Sequence, residues 1–252
     1  MPHPATATVN ATRPSVIPVV DVLDLRFTWP GAAAPCIDIP RFQVAASEAV
    51  FVHGPSGCGK STLLSLLCGV LVADGGRVSL LAQDWLGLST ARRDAWRADH
   101  VGYIFQQFNL LPYLSALDNV LLPCRFSRLR RERAEAVAGT ALTQARHLLA
   151  QVGLPEALWR RPATALSVGQ QQRVAAARAL IGLPEVVIAD EPTSSLDEAA
   201  RDRFMALLLE ACRSAGAAVV FVSHDLRLAE RFDRGVPLPA INRAAAGDEA
   251  LA

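Results

Sequence analysis

Gly54-Pro55-Ser56-Gly57-Cys58-Gly59-Lys60-Ser61-Thr62 fits the pattern G-x-x-x-x-G-K-[ST]. It follows the apolar run Val50-Phe51-Val52 and precedes Leu63, Leu64, Leu66 and Leu67 at helical spacing. Strand, glycine loop and helix in that order make a phosphate cradle. Glycines permit backbone angles that bring N–H groups close to an anion. The new helix adds unpaired N–H groups and the positive end of its dipole. Lys60 is placed to reach the β- and γ-phosphates of a nucleotide, and the Ser61 hydroxyl to hold Mg²⁺.

Working outward, the 252-residue chain is long enough for one large domain or a domain with a subdomain. Its 51% apolar content suits a parallel sheet buried between helices. The longest charge-free window, Val101 to Leu117, contains Gly102, Gln106, Gln107, Asn109 and Pro112, and is too short and polar to cross a bilayer. The start, Met1-Pro2-His3-Pro4, lacks a basic segment followed by an apolar one, so a cytoplasmic chain is expected. Five scattered cysteines without a C-x-x-C pair argue against a disulfide framework or a zinc site. With 25 basic and 24 acidic side chains, no overall charge attracts nucleic acid. Arg125, Arg128, Arg130, Arg131 and Arg133 cluster locally and read as a solvated helix face, with an anionic membrane surface or membrane partner as the sharper alternative.

Residues 1–17 are rich in Ala, Thr and Pro and read as a flexible tail. Leu23, Leu25, Phe27 and Trp29 alternate with polar neighbours, the period of a half-buried strand, and Ile37 to Val44 suggests an antiparallel partner. Strands are also predicted near Val78–Leu81 and Val101–Phe105, around a polar helix at Thr90–Ala98. From about Ser115 to Leu180 the pattern is helical; Ser115 three residues before Asp118 and Ser167 three before Gln170 are helix starts. Val186 to Ala189 runs apolar into Asp190-Glu191, a helix is predicted around Asp197–Arg213, and Ala218 to Val222 leads to Ser223-His224-Asp225.

Asp190 and Glu191 end an apolar strand, the place where open α/β sheets bind ligands. The first carboxylate can hold Mg²⁺ and the second can polarise a water for attack on the γ-phosphorus. With Leu166-Ser167-Val168-Gly169-Gln170 and His224 in this order, the chain resembles the ATP-binding cassette (ABC) ATPases from about Asp21 to Asp233. The resemblance implies an α/β fold: a P-loop NTPase core with a mixed sheet, flanking helices and antiparallel N-terminal strands, plus an inserted α-helical subdomain. The domain is expected over residues 18–239, its core at about 18–104 and 182–239, its helical subdomain at about 105–181, and a C-terminal tail at 240–252.

The same resemblance assigns roles. Gly54 to Thr62, including Pro55, Ser56 and Cys58, bind ATP; Ser61, Gln106 and Asp190 serve the metal; Glu191, His224, Lys60 and Gln106 are catalytic. Gln107 competes with Gln106 for its place. Trp29 resembles the aromatic that stacks on adenine, with Phe27 as the alternative. Ser167, Gly169 and Gln170 look like the signature loop, where Val168 replaces the usual second glycine; Ser194 to Asp197 resembles the D-loop. These elements imply a head-to-tail homodimer, or a paired ABC subunit, enclosing two Mg-ATP, with each helix tip serving the nucleotide of its partner. Cys58 reads as a small filler, with oxidation sensitivity as a weaker reading.

Phe105 to Leu114, Leu117-Asp118-Asn119-Val120 and Gln170 to Val174 resemble one subgroup, the ATPases of lipoprotein-releasing, macrolide-exporting and cell-division complexes. It implies a separate integral-membrane permease, location on the inner face of the membrane, and no direct nucleic-acid partner. A regulator signalling across the membrane, or a soluble nucleic-acid ATPase, are the alternatives. After His224, Pro237 and Pro239 lie where the family continues its sheet, so a truncated edge is expected there.

Overall fold

The computed structural model describes residues 17–194 and 196–246. Strand β1 (Val20–Phe27) pairs antiparallel with β2 (Ile37–Val44), and β3 (Ala49–His53) then opens a second sheet. Helix α1 (Lys60–Leu67) follows, after which β4 (Gly75–Leu80) returns to the other side of β1 and pairs with β5 (Gln83–Asp84). The predicted polar helix is α2 (Thr90–His100), leading into β6 (Val101–Ile104).

The alternation predicted for β1 does not run through the strand. Val20 and Val22 are buried, Leu23 is exposed, and Leu25 and Phe27 are buried again. The register against β4 shifts between Leu23 and Arg26, and Asp24 has φ 48°. That irregularity, an extra residue in one strand, moves the buried face from even to odd positions.

Between β6 and the next strand, β7 (Val186–Asp190), lie α3 (Ala116–Phe126), α4 (Arg128–Ala138), α5 (Ala141–Gln151) and α6 (Val168–Leu180). They pack on one another around Val120, Leu149, Val174 and Ala175. Each begins with a side chain that accepts a hydrogen bond from the third helical N–H: Ser115 from Asp118, Ser127 from Arg130, Thr140 from Thr143 and Ser167 from Gln170. Then come α7 (Glu198–Ala215), β8 (Ala218–Val222), β9 (Arg234–Pro237) and α8 (Leu238–Ile241).

The parallel sheet has the order β6-β7-β8-β3-β9. Its central strands are apolar on both faces because both are covered. On β3, Phe51 points into the core shared with the helices, while Val50 and Val52 face α1 and the antiparallel sheet.

The basic cluster is not a solvated face throughout. Arg130 is 2% exposed and donates to the carbonyls of Ile181, Val101 and Ala179 at 2.7, 3.3 and 2.6 Å. Burial pulls its guanidinium down to about 10. Arg133 donates to Glu185, whose carboxylate also meets His100 Nδ1 at 2.9 Å. Helical spacing could not show that these arginines point toward β6 and the end of α6. Burial alone would raise the Glu185 carboxyl, but the hydrogen bonds from His100 and Arg133 outweigh it and hold the group at about 2. Glu185→Gln is therefore expected to lower stability by about 1–2 kcal/mol near neutral pH, allowing for partial exposure to water. Because the folded-state value lies below the ordinary 4.5, this advantage of the wild type is present above pH 4.5 and fades as pH falls toward 2. Urea denaturation of both proteins across that range measures it.

The C-terminal region differs from expectation. Pro237 closes β9 at the sheet edge, opposite His53, instead of removing the strand. Pro239 sits in the first turn of α8, where its missing N–H has no intrahelical partner to lose. The boundary expected at 239 thus falls inside ordered structure, with Leu238 and Asn242 buried. Of the tails expected at 1–17 and 240–252, residues 1–16 and 247–252 lie outside the described residues.

Candidate active site

The glycine loop leaves the carboxyl end of β3 and enters α1 with Gly57 at φ 82° and Gly59 at φ 99°, angles that residues with a Cβ rarely adopt. A cavity of about 350 Å³ opens over it. Its walls are Ser56, Gly57 and Gly59 of the loop, Lys60, Ser61 and Thr62 of the first helical turn, and Gln106, Asp190 and Glu191 from neighbouring strand ends. Residues more than 120 positions apart meet here because β3, β6 and β7 run parallel and end on the same side.

Lys60 is 8% exposed, and its Nζ donates to the carbonyls of Gly54 and Pro55 at 3.0 and 2.9 Å. The same ammonium lies 3.8 Å from Glu191 Oε1. Ser61 Oγ is 3.4 Å from Asp190 Oδ1, and Gln106 faces the same cavity. Burial raises the Asp190 carboxyl, an effect that the Ser61 bond and Lys60 oppose and Glu191 reinforces. Hydroxyl, carboxylate and amide oxygens are the donors a hard divalent cation takes.

Glu191 has φ 43°, an unfavourable angle for a residue with a side chain. Its N–H is tied to Val222 O at 3.0 Å, and its Oε2 lies 3.3 Å from His224 Nδ1. The β7–β8 pairing therefore brings His224 to one oxygen of Glu191, while Lys60 faces the other.

Gln107, the competing choice, is exposed and does not line this cavity. Phe27 is buried, while Trp29 is 45% exposed and packs edge-on against it with ring centroids 5.2 Å apart. The Cys36 thiol lies near both Thr62 and Trp29, which puts the indole close to the start of α1. The Cys58 thiol packs against Gly54, where an added Cβ would come within 2.7 Å of its sulfur.

Ser167, Gly169 and Gln170 are not brought to this cavity. They form the tip of α6, where the Gln170 side chain accepts from Ser167 N at 2.9 Å and Ser167 Oγ accepts from Gln170 N at 3.4 Å. Gln170 is thereby held to capping its own helix, while Gly169 has open space at its Cα. Asp197 caps α7 by accepting from Ala200 N, and Ser195 lies outside the described residues.

Several supporting contacts have no sequence signal. Buried Gln172 donates to Pro192 O at 2.8 Å and ties α6 to the segment after Glu191. Buried Asn119 makes four hydrogen bonds, to Leu111, Leu114 and Ser115, and orders the segment after Gln106. Arg201 of α7 pairs with Asp225 at 2.7 Å, and Arg227 binds that carboxylate from the other side, so the residue after His224 is braced against α7. The Gln170-Gln171-Gln172 run and the Ser223-His224-Asp225 turn are visible in sequence, but their long-range partners are not.

A parallel sheet with an interior strand that opens on a glycine cradle, and an acidic strand end facing the same cavity, defines a P-loop NTPase. Residues 37–194 match the family model described as ABC transporter. The lipoprotein-releasing system ATP-binding protein LolD of Hydrogenovibrio crunogenus is 44% identical over 193 residues, covering 77% of this chain and 80% of that protein. YbbA of Escherichia coli K12, named an uncharacterized ABC transporter ATP-binding protein, is 45% identical over 192 residues, covering 76% and 80%. Among solved structures, the dimeric bacterial ABC transporter cassette MJ0796 superposes with a TM-score of 0.74 at 31% identity, covering 86% of this chain and 93% of its own. Its post-hydrolysis state bound to ADP and Pi gives 0.73. The chain belongs to the ABC transporter family, as one of its ATP-hydrolysing subunits.

Proposed function

We propose that two copies close head-to-tail around two Mg-ATP and drive a separate membrane permease of the lipoprotein-releasing or macrolide-exporting type. The observation that carries this reading is a division of parts. The cavity gathers Lys60, Ser61, Gln106, Asp190 and Glu191, with His224 against Glu191, whereas the Ser167 helix tip stays on the surface of the same chain. A capped helix N-terminus attracts anions, so the tip of one copy suits the nucleotide of the other.

In this assembly Ser61, Asp190 and Gln106 would hold Mg²⁺, which when bound neutralises phosphate charge. The Gly57 and Gly59 backbone and Lys60 bind the phosphates, and Trp29 stacks on the base. Glu191 takes a proton from the attacking water, and His224, 3.3 Å away, holds the carboxylate and faces the γ-phosphate. Cleavage removes the charge that favoured the closed pair, so the dimer opens.

The permease has a seat. Beside Gln106 lies a largely apolar hollow of about 450 Å³ formed by Val70, Tyr103, Phe105, Pro123 and Phe126, with the Phe126 side chain 79% exposed. Phe105 joins it directly to the cavity through the peptide of Gln106. No helix among the described residues is long and apolar enough to cross a membrane. The LolD-like relatives favour the lipoprotein-releasing type. Phe126→Glu is expected to leave ATPase activity of the isolated subunit within about twofold while abolishing co-purification with its co-expressed permease. Retained co-purification would remove the hollow as the docking site.

A further inference from the structure

We propose that Asn242, in the segment beyond the expected domain end, is a positioning residue for nucleotide binding. The inference rests on the nucleotide reading of the cavity.

Asn242 is 1% exposed. Its Oδ1 accepts from Asp38 N at 2.8 Å and from Ala244 N at 3.3 Å. Its Nδ2 donates to Cys36 O at 3.0 Å and to Cys58 O at 3.5 Å, the outer limit of a hydrogen bond. Two donors and two acceptor lone pairs are all in use, which fixes the orientation of the amide: exchanging its ends would face NH₂ against the Asp38 N–H.

Those contacts join both walls of the site. Cys58 lies between Gly57 and Gly59, the two loop residues with positive φ. A peptide plane holds its C=O and the following N–H in opposite directions. Drawing the Cys58 carbonyl back toward Asn242 therefore turns the Gly59 N–H to the cavity side of the loop. A Cβ on Gly59 would point at Ile37, Cys36 and Asn242, so this cluster lies behind the loop. Cys36 closes the segment that carries Trp29, with its N–H on Phe27 O and its thiol beside Thr62 and Trp29. One buried amide, delivered by α8 from about 200 residues away, thus sets the phosphate cradle and the proposed base-stacking wall relative to each other. Preorganised N–H groups bind an anion without reordering, so this clamp acts on nucleotide affinity more than on the chemical step.

The experiment compares the full-length wild type with Asn242→Leu and Asn242→Asp, reading KM and kcat for Mg-ATP and the rise in Tm on adding nucleotide. Leucine keeps the volume and loses every bond; aspartate keeps the shape and both acceptor bonds but faces two carbonyls without a donor. Both are expected to raise KM about tenfold or more, aspartate further because its charge opposes phosphate, with kcat within about twofold and a smaller nucleotide-induced Tm rise. Should leucine not fold, Asn242→Ser, small enough to enter, carries the same expectation. A folded neutral variant with wild-type KM, whatever its Tm without nucleotide, would reduce Asn242 to a structural latch and overturn the proposal. A wild type that neither binds nor hydrolyses ATP would instead overturn the nucleotide reading of the cavity.

Discussion

Glu191→Gln binds Mg-ATP with near wild-type affinity, hydrolyses it about 10²–10⁴-fold more slowly, and accumulates as a nucleotide-bound dimer. The expectation follows from where the carboxylate is held. β7 and β8 pair through Asp190 and Val222, and the Glu191 N–H bonds to Val222 O, which keeps the residue at φ 43°. Such an angle typically costs about 1–3 kcal/mol. It aims the side chain between Lys60, at 3.8 Å, and His224, at 3.3 Å. Glutamine preserves size and the backbone tie but cannot take a proton from water. Binding survives because the cradle and Lys60 are untouched, and dimer accumulates because cleavage no longer opens it. Single-turnover hydrolysis, nucleotide titration and light scattering check the three parts. Wild-type turnover would strip Glu191 of the role.

Lys60→Ala is expected to weaken Mg-ATP binding by about 100-fold, with hydrolysis lost at nucleotide concentrations that saturate the wild type. The ammonium is buried against the Gly54 and Pro55 carbonyls, whose orientation points it across the loop toward the acidic strand end. In a partly dehydrated cavity a cation on polyphosphate is worth more than at an open surface. The substitution differs from Glu191→Gln in its readout, since affinity falls first and no dimer accumulates. Calorimetric titration measures it, and unchanged affinity would remove Lys60 from the cradle.

Local chemistry carried much of the site into plain view in the chain. Gly57, Gly59, Lys60 and Ser61 are spaced as a strand–loop–helix cradle requires, and the loop adopts the positive φ angles that such spacing anticipates. Ser115 and Ser167 cap helices as their three-residue partners foretell. Asp190 and Glu191 end an apolar strand, and the parallel sheet puts that end beside the loop. The misreadings share a cause. Solvated and buried arginines look alike in a helical repeat, so nothing local separates Arg130 and Arg133 from Arg125 and Arg128. The β1 irregularity inverted the alternation beyond Leu23, which no fixed period can follow. Pro237 and Pro239 suggest an early end to the sheet, yet each occupies a position where a missing N–H does no harm.

What the chain determined by itself was the chemistry of short range. Backbone freedom at glycine, the charge on Lys60, the pairing of carboxylates and the capping of helices depend on residues within a few positions of one another. What only the tertiary structure decided was every relation across the sheet. Strand order β6-β7-β8-β3-β9 brings the segment after β6, with Gln106, to the cavity, sets Glu191 between Lys60 and His224, and leaves the Ser167 tip outside its own cavity. It also returns Asn242 to the back of the phosphate loop. The physical reason is that these contacts join residues far apart in sequence. Their geometry is fixed by which strands are neighbours and which face each helix buries, quantities that no local pattern contains.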